Sequence, residues 1–114
     1  MRDTRPISWI KAARKDFLDF PEAAKRDALR ALTIAAEGGM AGIVKPLHGL
    51  GSGVFEVALR SRGDAFRVVY AVQIAHEIWV VHAFQKKSTS GIKTSKADID
   101  LVTDRLKRLK DALR

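Results

Sequence analysis

Apolar and polar positions alternate most cleanly between residues 54 and 85, where the pattern predicts three consecutive strands over 54–60, 66–74 and 78–85. Side chains point to opposite faces of a strand in turn, so the pairing decides which residues share a face. A first hairpin turning at Arg62-Gly63 sets Leu59 opposite Phe66, Val57 opposite Val68 and Phe55 opposite Tyr70. A second turning at Ala75-His76 sets Val72 opposite Trp79, Tyr70 opposite Val81 and Val68 opposite Ala83. All of these fall on one apolar face. The other face collects Glu56, Arg60, Arg67, Gln73, His82, Phe84 and, just past the strand, Lys86. A sheet that is apolar on one side normally leaves the other to solvent. That second face is therefore expected to be open.

Helical periodicity brackets the strands. Residues 6–10 read as a short edge strand leading into a helix over 11–19, with Ala12, Phe17 and Phe20 marking its apolar side. Pro21 suits a first helical turn and not an interior, so it opens a second helix that runs to Glu37 and stops at Gly38-Gly39. Ala24, Ala28, Leu32 and Ala35 share one face of that helix. The two helices are expected to form a hairpin covering the sheet. Residues 42–53 and 88–94 read as loops. Ser95-Lys96-Ala97-Asp98 has capping-box spacing, and Ile99, Val102, Leu106, Leu109 and Leu113 then form one apolar stripe on a terminal helix. The expected class is α+β: a helical hairpin, a small antiparallel sheet and a C-terminal amphipathic helix in a single domain spanning 1–114.

Charge sharpens this picture. The 114 residues carry a net charge of +8, and nine of the basic groups, against four acidic ones, fall in residues 86–114. Such an excess favours a polyanionic partner, nucleic acid before acidic protein or membrane surface. There is no cysteine, which excludes disulfides and thiolate chemistry. The three histidines, His48, His76 and His82, lack metal-ligand spacing, so no metal or other cofactor is expected. No apolar run reaches the length of a membrane span and no secretory signal opens the chain, so a cytoplasmic location and no membrane partner are expected.

The cationic face holds the candidate chemistry. Arg60 and Arg67 each offer a guanidinium fork to a phosphate. Histidine is the side chain suited to proton transfer near neutral pH, so His82 is a candidate general base or acid. Phe84 offers a stacking surface for a base, and Lys86 and Lys87 neutralise phosphate. Lys45, in the glycine-bearing loop, is a candidate backbone contact. Plainer readings stand beside these: strand arginines paired with Glu56 or Asp64, a half-buried sheet histidine bonded to a neighbour, a ring under the terminal helix, and lysines guarding a sheet edge. His48 reads as a loop residue, and Trp9, Tyr70 and Trp79 as core.

Several runs carry a family likeness: Lys45-Pro46-Leu47, Gly53-Val54-Phe55-Glu56-Val57, Phe66-Arg67-Val68-Val69-Tyr70 and His82-Ala83-Phe84-Gln85-Lys86-Lys87-Ser88, closed by a helix with Asp98-Ile99 near its start. Together they resemble the phage-derived HigB-like branch of the RelE/ParE toxin superfamily, from about Pro6 to the C-terminus. The resemblance implies a toxin of a type II toxin–antitoxin system that cuts mRNA on the ribosome without a metal. The RNA's own 2′-hydroxyl would attack the adjacent phosphate. It matches Arg67, Phe84, Lys86 and Lys87 to the family's site, and His82 to its motif histidine. It also implies a cognate antitoxin, a small helix-turn-helix protein of HigA type, and contact with the ribosome and mRNA. The ParE branch shares the fold and poisons DNA gyrase, so the alternatives are a gyrase poison or a non-catalytic protein that binds antitoxin or nucleic acid.

Overall fold

In the computed structural model, which describes residues 4–86 and 93–113, the chain runs β1 (Ile7–Trp9), α1 (Lys11–Leu18), α2 (Glu22–Ala36), β2 (Val44–Pro46), β3 (Val54–Ser61), β4 (Asp64–Ile74), β5 (Glu77–Lys86) and α3 (Lys96–Ala112). The result is a mixed α+β fold. Five strands in the order β1-β5-β4-β3-β2 form one sheet. None of the helices is long and apolar enough to cross a membrane among the described residues.

The central meander follows the hydrophobic pattern. Arg62 and Gly63 both adopt positive φ, as do Ala75 and His76, which gives each two-residue turn the backbone twist that matches paired strands. Leu59, Val57 and Phe55 pair with Phe66, Val68 and Tyr70. Along the second hairpin Val68 faces Ala83, but then the register slips: Val69 pairs with His82 and Tyr70 with Val80. Val81 is left as the extra residue of a bulge. Tyr70 therefore does not face Val81, nor Val72 Trp79 as the simple alternation predicts.

Both faces of the sheet are covered. On one, α1 and α2 pack Phe17, Phe20, Ala24, Ala28 and Leu32 onto Val57, Leu59, Phe66, Val68, Tyr70, Ile78, Val80 and Ala83. Phe20 bridges the layers, its ring 5.5 Å from Phe17 and 4.8 Å from Phe66. On the other, α3 packs Val102 and Leu106 onto Val54, Val69, Ala71, Ile74 and Val81. Trp79 belongs to this second layer, because the bulge moves it and Val81 off the face expected for them. The open second face is thus corrected to one that is partly apolar and roofed by α3.

Two edges differ from expectation. β1 runs parallel to β5, pairing Ile7 with Ile78 and Trp9 with Val80, so the sheet is mixed and not purely antiparallel. The segment read as a loop contains β2, which pairs Val44 with Val57 and Pro46 with Phe55. Three residues are too few to establish an alternating pattern, and Pro46 is tolerated because the strand lies at an edge.

Candidate nucleic-acid interface on the α3 face

Strand register sets the candidate residues in three successive rows on the face toward α3. The outermost is Arg60, Ala65 and Lys86; the next is Ala58, Arg67 and Phe84; the third is Lys45, Glu56, Val69 and His82. The sheet thereby brings Arg60, Arg67, His82, Phe84, Lys86 and Lys45 to one side. Lys87 lies outside the described residues.

Burial grades steeply across those rows. Arg60 and Lys45 are exposed, and Phe84 and Lys86 are half-buried. Arg67 is only 9% exposed, His82 5% and Glu56 1%. Glu56 answers the cost of a buried carboxylate with two partners: Arg67 Nε lies 3.4 Å from its Oε1, and the Thr94 hydroxyl donates to its Oε2. Arg67 also donates from Nη1 to the Phe66 carbonyl at 2.9 Å, while its Nε makes no hydrogen bond of good geometry. The guanidinium is thus anchored at one end by a charge held inside the protein.

His82 keeps the face that alternation gives it, in register with Val69. Because Val81 has no partner across the ladder, Val81 joins it in turning toward α3. The imidazole Nε2 lies 2.8 Å from Asp98 Oδ1, and Arg105 Nη1 lies 3.3 Å from Nδ1 while donating to the Val81 carbonyl at 2.9 Å. Arginine only donates, so Nδ1 accepts and the proton sits on Nε2, directed at Asp98. Both ring nitrogens are thus engaged. The expectation of a solvent-facing base is corrected accordingly: His82 fastens α3 to the sheet, and its ring stacks on Phe84 at 4.6 Å.

The start of α3 is held locally as its sequence predicts. Ser95 caps the helix, accepting from the Asp98 N–H at 3.2 Å, and its hydroxyl donates to Asp98 Oδ2 at 2.7 Å. Asp98 therefore serves the cap with one oxygen and His82 with the other. Lys86 Nζ donates to the Lys93 carbonyl at 2.8 Å, a further tie between β5 and the approach to α3. Sequence reasoning did not assign Asp98, Arg105 or Thr94 to this face. The capping box flagged Asp98, but nothing local marks what lies above it in space.

Residues 15–107 match the family model described as Phage derived protein Gp49-like (DUF891). Among solved structures, a double mutant of the E. coli toxin RelE in the free state is similar, with a TM-score of 0.60 and 16% identity over 93% of this chain and 98% of that one. At that identity the likeness speaks for the fold. No curated protein matches the chain.

Proposed function

This chain belongs to the phage-derived Gp49-like family, and from that premise we propose that it is the toxin of a type II toxin–antitoxin system, of the HigB-like branch, acting as a ribosome-dependent mRNA endoribonuclease. The observation that carries the reading is the row geometry: Arg60 with Lys86, then Arg67 with Phe84, on one face of one sheet. Arg60 and Lys86 hold the phosphates flanking the cut from the outermost row. Arg67, buried and paired with Glu56, lies beneath this row and adds its positive field where charge develops on the scissile phosphate. Phe84 supplies a half-exposed ring on which a base stacks. Lys45, exposed in the third row, adds a further cation to this face, and Lys87 is proposed as a phosphate contact from its sequence position alone.

In the reaction the 2′-oxygen bonds to phosphorus and the bond from phosphorus to the 5′-oxygen breaks. The proton lost by the 2′-hydroxyl is balanced by the one gained by the departing 5′-oxygen. His82 acts here as a positioning residue that keeps Phe84 and the start of α3 in register. The partners are the ribosome with its mRNA, and an antitoxin of helix-turn-helix type encoded alongside.

Induced expression with and without the antitoxin, with mRNA ends mapped on ribosomes, tests this. Growth arrest with new ends in the decoding site is expected; growth arrest without new ends contradicts it. One observation favours a second reading. An imidazole with both nitrogens engaged is a poor proton acceptor, which suits a toxin of the same fold that poisons gyrase without chemistry. Inhibition of supercoiling without arrest of translation would decide for that reading.

A further inference from the structure

Beyond Glu56, away from the Arg60–Lys86 row, lies a cleft of about 550 Å³ that the proposed reaction does not use. Its basic lining is Lys45, His48 and Lys93, all three exposed. Its apolar lining is Pro46, Leu47 and Ile99. Glu56 and Thr94 close one end, with the carboxylate turned to Arg67 and Thr94. The volume lies in the range that holds a small ligand. A purely electrostatic contact with a polyanion needs no apolar wall, and a greasy ligand needs no pair of lysines beside an imidazole. The combination matches a nucleotide, with phosphate among the bases and ribose or base against the wall.

The cleft is also contiguous with the surface described above. Lys93 accepts from Lys86 through its carbonyl, and Glu56 reaches from the cleft to Arg67. The cleft therefore adjoins the Arg60–Lys86 row through the Lys86–Lys93 contact and the Glu56–Arg67 pair. We propose that this cleft is a subsite for a nucleotide flanking the scissile phosphate, with Lys45, His48 and Lys93 on its phosphate. The direction of the strand rests on the nuclease reading; the binding itself does not. His48, which the sequence marks only as a loop residue, becomes a phosphate contact of this subsite.

The test is a titration of the full chain with a fully 2′-O-methylated tetranucleotide, which lacks the attacking hydroxyl, followed through the methyl resonances of Leu47 and Ile99. Those resonances are expected to shift. His48→Ala with Lys93→Ala is expected to weaken binding about tenfold, against a small loss for Lys107→Ala with Lys110→Ala on the exposed side of α3. Equal losses from both pairs, shifts confined to other surfaces, or equal competition by a poly-glutamate peptide would each overturn the subsite. Cleavage on ribosomes is measured in parallel with the wild type. Cleavage without shifts at Leu47 and Ile99 removes the subsite and leaves the nuclease reading standing. Shifts there without cleavage retain the subsite and remove the nuclease.

Discussion

Glu56 is the most deeply buried charged residue among those described, and its carboxylate determines how Arg67 stands. Removing one partner of a buried pair leaves the other uncompensated, so Glu56→Ala should cost roughly 3–5 kcal/mol of folding stability in urea unfolding. Glu56→Gln, which keeps an acceptor for Thr94, should cost less. Tyr70 gives a second residue-scale prediction. Burial raises its phenol from the ordinary 10.0 to about 12. The unfolded chain then loses its phenolic proton before the folded one, so stability is fully present below pH 10 and falls as pH rises toward 12. Denaturation between pH 9 and 11.5 should show that decline, and Tyr70→Phe should remove it. Tyr70 is the only tyrosine, so a single absorbance titration follows it. The sequence pointed to Tyr70 as core and to Arg67 as facing the other way. It offered pairing of the strand arginines with Glu56 or Asp64 as the plainer alternative, but not that the Arg67–Glu56 pair is buried, because burial depends on the layer above, which belongs to a distant segment.

At the scale of elements, the strongest local signals decided the structure. Both two-residue turns, the break at Pro21 and the Ser95 cap follow directly from residues in sequence. Ser95→Ala should destabilise the chain by about 1 kcal/mol, measured by thermal or urea unfolding, because the Asp98 N–H then loses its partner. The misses have physical causes. β2 is three residues long and exists because β3 offers unpaired backbone; β1 was expected as an edge strand, and only its parallel pairing with β5 was not. The bulge at Val81 leaves no mark in a run of alternating apolar residues, yet it turns Val81 and Trp79 toward α3. The second covered face had a visible trace, since Val68-Val69-Tyr70-Ala71-Val72 is apolar without interruption, as strands buried on both sides are. Strict alternation was the wrong template for that strand.

For the whole molecule, the excess of basic groups predicts that the proposed association with RNA is salt-dependent. Each phosphate held by a cation should steepen the fall of log affinity with log salt by about 0.7 for a single strand. Lys86→Ala should therefore flatten the slope by roughly that amount in fluorescence anisotropy with an uncleavable RNA. The fold class and the shared face of Arg60, Arg67, Phe84 and Lys86 could be read from the sequence, because one hairpin register generates both. The roof over His82 could not, because it joins residues of β5 to residues of α3 across a loop. The most direct test of the central claim is the mapping of mRNA ends in a reconstituted translation reaction, comparing the wild type with Arg60→Ala/Lys86→Ala, two substitutions outside the buried cluster. Cuts in the decoding site that slow by about a hundredfold or more in the double variant are the expected result. Cutting at the wild-type rate by a folded double variant would contradict the assignment of this face.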